Sequence, residues 1–168
     1  MTPIIRPEMP SDEEGIEQVT RNAFASHPHS QQTEQFIIRA LRAAHCLSIS
    51  LVAADAGNIV GHIALSPVTI SDGSTDWYGL GPISVEPAVQ RRGIGRALME
   101  GGLIELQKIA AQGCVLVGEP AFYTRFGFGN NPALELEGVP QEFFLARSLG
   151  PSTARGRVQF HPAFQARG

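Results

Sequence analysis

One segment of the sequence combines glycines and arginines in a way that could bind phosphate. Val85 and Pro87 close a predicted strand, and Gln90-Arg91-Arg92-Gly93-Ile94-Gly95-Arg96 then opens a helix. The first backbone amides of a helix have no partner within it, and the helix dipole favours an anion there. Small residues let phosphate oxygens approach these amides, and arginines add charged hydrogen bonds. The segment indicates an anion cradle, although the same spacing also fits a plain strand–turn–helix connection.

The residues exclude two common nucleotide-binding motifs. A dinucleotide fingerprint needs Gly-x-Gly-x-x-Gly/Ala, and Leu98 stands at its third position here. A P-loop needs a Gly-Lys pair, and the sequence contains none. The cradle, if it binds phosphate, therefore belongs to another class of protein.

The elements that must position this segment are predicted from the period of the apolar residues. Helices are predicted over residues 12–24, with Ser11 as the N-cap, and over residues 33–44. Alternation predicts strands near residues 47–53, 59–70 and 77–85. Two helices followed by a meander of strands favour an α+β or mixed α/β fold. The buried face of the helix after the cradle is predicted to contain Ile94, Leu98, Gly102, Leu106 and Ile109.

The composition describes one ordinary globular domain over residues 1–168. The 13 basic and 16 acidic residues give a net charge of −3, which argues against nucleic acid as a partner. The longest apolar runs are too short for a membrane span, and the early Pro and acidic residues do not suit a signal peptide. Cys46 and Cys114 form no metal-binding pattern, so two reduced thiols and no metal are expected. A cytoplasmic protein is predicted.

Two motifs resemble those of a known family. The first, Val85-x-Pro87-x2-Gln90-Arg91-Arg92-Gly93-Ile94-Gly95-x2-Leu98, resembles the acyl-CoA pyrophosphate motif of the GNAT superfamily of N-acetyltransferases. The second, Gly118-Glu119-Pro120-Ala121-Phe122-Tyr123-Thr124-Arg125-Phe126-Gly127-Phe128, resembles the Tyr-x3-Gly-Phe segment of that superfamily in the form typical of its YhbS-like branch. Both motifs occur in the expected order and spacing.

The resemblance implies a fold and a way to bind a cofactor. The expected fold is a mixed, mainly antiparallel sheet of about six or seven strands flanked by helices, with a splayed central strand pair. The strand at residues 83–85 would separate from residues 115–118, and the pantetheine arm of acetyl-CoA would lie between them. The residues implied in cofactor binding are Ile83, Ser84, Val85, Arg91, Arg92, Gly93, Ile94, Gly95, Arg96, Phe122 and Tyr123.

The resemblance also implies an activity, the transfer of an acetyl group from acetyl-CoA to a primary amine of a small molecule or peptide. Tyr123 matches the position that protonates the departing CoA thiolate, a role that a phenol with a pKa near 10 can fill. Candidates for the base are Glu86, Glu119, His62 and an ordered water. Because no base is assigned, a non-catalytic acyl-CoA-binding or regulatory module on the same fold is the alternative. The superfamily is also compatible with a homodimer.

Overall fold

The computed structural model describes residues 2–168. Its strands are β1 (Ile4–Pro7), β2 (Ile49–Asp55), β3 (Asn58–Pro67), β4 (Thr69–Ile70), β5 (Trp77–Val85), β6 (Gly113–Val117), β7 (Gly129–Asn130), β8 (Leu134–Glu135), β9 (Phe144–Ser148) and β10 (Gly156–Gln159). Its α-helices are α1 (Glu13–Phe24), α2 (Glu34–Ala43), α3 (Ile94–Lys108) and α4 (Pro120–Tyr123). Short 3₁₀ turns cover Pro10–Asp12, Pro87–Val89, Thr124–Phe126, Gln141–Phe143 and Pro162–Gln165.

Seven strands form the main sheet, in the order β1-β2-β3-β5-β6-β9-β7. Neighbouring strands in this sheet are antiparallel except for β5 and β6, which are parallel. A smaller sheet contains β4, β10 and β8. The predicted fold, a mixed and mainly antiparallel sheet flanked by helices, is therefore confirmed.

The two faces of the main sheet carry separate cores, because successive side chains of a strand point to opposite faces. On one face, Ile63 and Leu65 of β3 pack with Leu98 of α3. On the other face, Ala64 of β3 packs with Ile16 of α1 and with a side chain of α2. The sheet thus separates an α3 side from an α1–α2 side, and this division organises the candidate site.

Two adjacent glycines let α3 lie close to the sheet. A Cβ atom at Gly101 would lie 3.1 Å from Cδ1 of Leu51, and one at Gly102 would lie 3.3 Å from Cδ1 of Leu65. The helix continues without interruption through both positions to Lys108. The pair therefore serves close packing, and this offsets the intrinsic cost of glycine in a helix.

Three local predictions were wrong. Helix α1 begins at Glu13, and its N-cap is Asp12, not Ser11. The Asp12 side chain does not cap the helix, because its carboxylate accepts hydrogen bonds from Arg6 and from the Met9 amide. The strand predicted over residues 59–70 is divided, because β3 ends at Pro67 and β4 pairs with β10 in the small sheet. Ile109 lies just beyond the end of α3 and is 47% exposed, so it is not part of the buried face.

Candidate active site

The gap between β5 and β6 is the central feature of the site. These strands pair only through Trp77–Gly113, Tyr78–Cys114 and Gly79–Val115. Beyond Gly79, β5 continues along β3 as far as Val85 but no longer pairs with β6. A register shift between Ile63 and Leu65 accompanies the change, as a β-bulge would produce. The two strands therefore separate, as predicted, and residues 80–85 present one open edge.

The orientation of the β5 backbone determines which groups face the gap. The Glu86 amide donates to the Val60 carbonyl at 2.9 Å, so it points toward β3. Because backbone groups alternate along a strand, Ser84 also points toward β3, whereas Ile83 and Val85 point into the gap. The Val85 carbonyl accepts a hydrogen bond from Nε2 of Gln90 at 3.1 Å. Ile83 and Val85 thus offer backbone groups to a bound chain, and Ser84 offers only its side chain to the α1–α2 side.

The loop before α3 forms the cradle that the sequence indicates. Arg91 has φ of 66° and Gly93, the N-cap of α3, has φ of 86°. Within residues 2–168, no side chain caps this helix, and the amides of residues 94–96 find no acceptor. Positive φ at Arg91 and Gly93 turns the loop so that the helix begins abruptly. Three unpaired amides at the positive end of a fifteen-residue helix suit an anion.

The three arginines of the cradle are not equivalent. Arg91 and Arg92 are exposed and form no ion pair in the described part of the chain. Arg96 instead lies along the outer face of α3, where its Nε atom is 3.1 Å from Oε1 of Glu100. The first two guanidinium groups are therefore available to an anion, whereas the third already has a partner.

Aromatic side chains connect the cradle to the gap. A Cβ atom built at Gly95 would lie 3.7 Å from the Phe122 ring and 3.8 Å from Cγ2 of Val85. Phe122 contacts Tyr123 in a T-shaped arrangement, with ring centroids 4.9 Å apart. The start of α3, the open end of β5 and α4 thus meet at one place, although they come from three parts of the sequence.

Tyr123 packs against the end of β6. A Cβ atom at Gly118 would lie 2.3 Å from Cε2 of Tyr123, so only glycine lets the ring take this position. Burial raises the pKa of the Tyr123 phenol above its usual value of 10. Its hydroxyl forms no hydrogen bond with any group among the described residues. A phenol that stays protonated at neutral pH and has its proton unshared can act as a general acid.

The three base candidates lie in different environments. His62 is completely buried on β3, where burial lowers its pKa to about 4 and its Nε2 atom lies 2.8 Å from Ser50 Oγ. The Glu86 carboxylate accepts a hydrogen bond from Nδ2 of Asn22 on α1. Glu119 is exposed, and its carbonyl accepts hydrogen bonds from the amides of Phe122 and Tyr123 in α4.

The sequence reasoning missed a polar network on the α1–α2 side. Arg42 and Ser50 each donate hydrogen bonds to the Glu8 carboxylate, and Ser50 Oγ also lies within hydrogen-bond distance of His62. Glu8 is separated from Arg42 by 34 residues and from Ser50 by 42, so no spacing pattern links them. Only their shared approach to one face of the sheet brings these side chains together.

Two other kinds of feature are absent from the described residues. Residues 2–168 contain no group of three or more His, Cys, Asp or Glu side chains that could hold a metal ion. No helix in this range is long and apolar enough to cross a membrane.

Comparison with known proteins shows where this fold and site recur. The protein-family model described as the acetyltransferase (GNAT) domain matches residues 46–129 of this chain. The uncharacterised N-acetyltransferase YhbS of Escherichia coli K12 is 34% identical over 126 residues, which is 74% of this chain and 72% of the relative.

Solved structures agree with the sequence match. A GNAT family acetyltransferase from Brucella melitensis, in complex with acetyl-CoA, is 44% identical and has a TM-score of 0.86; the match covers 96% of this chain and 97% of the other. YhbS from Escherichia coli, in complex with CoA, is 30% identical with a TM-score of 0.90, and the match covers 100% of this chain and 94% of the other.

The splayed strands, the uncapped helix and the full-length structural matches define an acyltransferase fold. The chain belongs to the GNAT family of acetyltransferases. The family resemblance and the N-acetyltransferase activity class expected from the two motifs are thereby confirmed.

Proposed function

We propose that this protein transfers the acetyl group of acetyl-CoA to a primary amine of a small molecule or peptide, and that Tyr123 is its general acid. One observation carries the proposal: Gly95 of the cradle lies against both Val85 of the gap and the Phe122 ring, and Phe122 contacts Tyr123. A phosphate site, a groove for an extended chain and a proton donor are therefore contiguous. Acetyl-CoA has the matching parts in the same order, a pyrophosphate, a pantetheine arm and a thioester.

The acetyl donor would be held largely by backbone groups. The amides of residues 94–96 and the Arg91 and Arg92 side chains would bind the pyrophosphate. The amide groups of the pantetheine arm would pair with Ile83 and Val85 much as an added strand pairs with a sheet edge. The relatives from Brucella melitensis and Escherichia coli were solved with acetyl-CoA and CoA, and both match nearly the whole chain.

The chemistry follows from the groups around the gap. The neutral amine attacks the thioester carbonyl, and negative charge develops on the carbonyl oxygen. A backbone amide near Val85 would stabilise this charge. The carbon–sulfur bond then breaks, the Tyr123 hydroxyl gives its proton to the sulfur, and the amine nitrogen loses one proton to a base or to water. Tyr123 regains its proton from water. Because burial raises the pKa of Tyr123, the phenol is protonated at neutral pH and ready for this step.

Replacing Tyr123 tests the proposed acid. We expect Tyr123→Phe to lower kcat about 100-fold while the KM for acetyl-CoA changes less than about twofold. The only other tyrosine, Tyr78, provides a matched control, and Tyr78→Phe should retain activity. The measurement is CoA release with a panel of primary amines: a polyamine, an amino-acid amide, an aminoglycoside and short peptides. Equal rates for Tyr123→Phe and the wild type would remove Tyr123 from the acid role.

The same assay separates an enzyme from a binding module. An acetyltransferase releases CoA in an amine-dependent way, whereas a module that only binds acyl-CoA releases none beyond background hydrolysis. Thermal unfolding with acetyl-CoA supplies the second measurement, because a ligand at about 100 times its Kd stabilises the folded state by roughly 2.7 kcal/mol. Stabilisation without amine-dependent release would favour the binding module.

The location and the assembly state belong to the same proposal. A cytoplasmic location is consistent with Cys46 and Cys114, which are both free thiols. A homodimer is supported by β1, an edge strand whose Ile4 side chain is 67% exposed, because an open strand edge can pair with a second copy. Sedimentation velocity tests the dimer, and a monomer at all accessible concentrations would contradict it.

A further inference from the structure

A continuous chain of hydrogen bonds runs from the surface to the middle of the sheet on the α1–α2 side. The Glu8 carboxylate accepts two hydrogen bonds of 3.0 Å from Arg42 and a short one from the Ser50 hydroxyl. Ser50 Oγ lies 2.8 Å from Nε2 of His62. Glu8, Arg42 and Ser50 also line a surface pocket of about 380 Å³. The series of hydrogen bonds therefore begins at a pocket open to solvent and ends at a fully buried imidazole.

The network determines which nitrogen of His62 carries the proton. An ionised carboxylate can only accept, so the single proton of the Ser50 hydroxyl is donated to Glu8. Ser50 Oγ must then accept from His62, which places the imidazole proton on Nε2. Burial lowers the pKa of His62 to about 4, so the ring is neutral at pH 7. Nδ1 is left with a free lone pair, and among the described residues it has no hydrogen-bond partner although it is buried.

The free lone pair lies beside the strand that borders the gap. His62 is the direct cross-strand partner of Ser84 on β5, and directly opposed residues have Cβ atoms about 5 Å apart. The Ser84 hydroxyl is also buried without a partner in this part of the chain. The neighbours of Ser84, Ile83 and Val85, turn their backbone into the gap. The cradle is on the α3 side, and His62 and Ser84 lie on the opposite, α1–α2 side of the same strands.

We propose that His62, Ser50 and Glu8 form a proton relay that carries the proton released by the attacking amine to the pocket beside Arg42. The proposal rests on the proposed function, since it needs an amine that loses a proton. Because Nδ1 of His62 and Oγ of Ser84 are both buried, the relay requires this end of β5 to open when the substrates bind, so that the amine nitrogen, or a water bound to it, reaches Nδ1. His62 would then be the base, and Ser50 and Glu8 would act through it as positioning residues.

The relay conserves protons and charge. As the N–C bond forms, the amine nitrogen loses one proton to Nδ1 of His62. His62 gives its Nε2 proton to Ser50, and Ser50 gives its own to the Glu8 carboxylate. Glu8 releases the proton to water in the pocket, and reversal of the ring tautomer and the hydroxyl restores the starting state. The carbonyl carbon meanwhile loses the thiolate, which takes its proton from Tyr123, and Tyr123 regains a proton from water, which balances the proton that Glu8 releases.

The charges around the relay favour release at the surface. Burial raises the pKa of Glu8, but hydrogen bonds from Arg42 and Ser50 outweigh burial and leave that pKa below its usual value. Glu8 therefore does not keep the proton at neutral pH. Arg42 on α2 also pairs with Glu13 of α1, so its charge stays at the mouth of the pocket. Glu8 and Arg42 are the charged groups that act on His62, with opposite effects on its pKa.

The first test interrupts the relay at Ser50. Spermidine, glycinamide and an alanyl peptide serve as the amines, and kcat is measured from pH 6 to 9. We expect Ser50→Ala to lower kcat about tenfold at pH 7, with a deficit that shrinks as the pH rises, because hydroxide can then take the proton that the attacking amine loses. Ser50→Thr keeps a hydroxyl and should restore the rate. Ser66→Ala, which removes a buried hydroxyl outside the network on the same strand as His62, should leave the rate unchanged.

The outcomes separate a relay from a structural role. Stabilisation by acetyl-CoA on thermal unfolding establishes that each variant is folded and binds the acetyl donor. A deficit for Ser50→Ala that is equal at every pH, or that Ser50→Thr fails to reverse, overturns the relay. So does a wild-type rate in Ser50→Ala.

The second test needs no amine and so does not depend on the proposed function. Nitrogen NMR of the His62 ring should show the neutral tautomer with its proton on Nε2 at pH 7. Ser50→Ala should change that signal. The opposite tautomer, or an imidazolium at pH 7, overturns the relay. If the wild type acetylates none of the three amines, the proposed function is contradicted, and the ring tautomer still decides whether the relay exists.

Discussion

The two sides of the main sheet are built from different materials. On the α3 side, the candidate acetyl-donor site consists of backbone amides, glycines and the open edge of β5, all within residues 83–96, with α4 added. On the α1–α2 side, the three relay residues and Arg42 come from four separate elements or loops. Glu8 follows β1, Arg42 is on α2, Ser50 on β2 and His62 on β3.

This difference shows how each side responds to substitution. A site made of backbone depends on φ values and on the absence of side chains, so glycine positions control it. A network of side chains depends on every partner, because each buried polar group that loses its partner costs free energy. We therefore expect steric changes to disable the α3 side, and changes of charge or pH to act on the α1–α2 side.

The largest effect is expected where a side chain would displace Tyr123. In Gly118→Ala, the new methyl group would lie 2.3 Å from the Tyr123 ring, so the ring must move. A displacement near 1 Å of a reacting group can lower kcat about 100-fold, which is roughly 2.7 kcal/mol of barrier. Acetyl-CoA affinity should change little, because the cradle is elsewhere. Steady-state kinetics and calorimetric titration with acetyl-CoA measure the two quantities.

Gly129→Ala is the matched control for Gly118→Ala. A Cβ atom at Gly129 would meet nothing within 4 Å, and the residue has no positive φ. The control should keep wild-type kinetics. If Gly118→Ala also keeps wild-type kinetics, the position of Tyr123 does not limit turnover. The expectation that steric changes disable the α3 side would then be wrong at the position where the largest effect is expected.

The next effect concerns the arginines of the cradle. Removing both free guanidinium groups, in Arg91→Ala with Arg92→Ala, should weaken acetyl-CoA binding about tenfold at low salt. Arg96→Ala should weaken it less than about twofold, because Arg96 already pairs with Glu100. Titrations at two salt concentrations measure both, and the double variant should show the smaller salt dependence. An equal loss for Arg96→Ala would mean that Arg96 leaves Glu100 to bind the phosphate.

The sequence predicts the acetyl-donor site on the α3 side but not the relay on the α1–α2 side, and the reason is physical. The acetyl-donor site is local: a strand end, a turn and a helix start within about fifteen residues leave a readable pattern of glycine and arginine. The prediction of the gap also depended on the second motif, because β6 lies beside β5 only through tertiary strand pairing. The role of Tyr123 as general acid could be assigned by resemblance, but its contact with Gly118 could not be predicted from the sequence.

The relay left no such pattern. Ser50, like Ser48 just before β2, is a serine between apolar residues, and Glu8 is one of many acidic residues near the N-terminus. His62 was a candidate base, and nothing in its spacing indicates Ser50 as its partner. Its hydrogen bond to Ser50 depends on the register of β2 with β3, which a single sequence does not define.

The third prediction uses pH to distinguish the sides. Hydrogen bonds from Arg6, the largest cause, and from the Met9 amide outweigh burial and lower the pKa of Asp12. The pKa of Glu8 is lowered as well. A carboxylate with a lowered pKa stabilises the folded state above its unfolded pKa of about 4, and this stabilisation is lost as the pH falls through the lower folded value. The α1–α2 side should therefore open first in acid.

Hydrogen exchange at pH 7 and near pH 3 measures this effect. Amides of α1 and α2 should lose protection, equivalent to about 1 kcal/mol, before those of α3. The variant Glu8→Gln with Asp12→Asn should be less stable than the wild type at pH 7 but should lose less on acidification. Simultaneous loss of protection in α1, α2 and α3 would show that acid acts on the whole fold and not on one side.

The smallest effect is expected at the end of α3, where the predicted apolar stripe and the structure disagree. Ile109→Gln should change the free energy of unfolding by less than about 0.5 kcal/mol, because the side chain is 47% exposed and lies after the helix. Leu106→Ala, at the fully buried position one turn earlier, should cost about 3 kcal/mol. Urea unfolding monitored by circular dichroism measures both values. A cost for Ile109→Gln close to that of Leu106→Ala would mean that Ile109 is covered in solution, and a second copy of the chain would then be the first candidate to cover it.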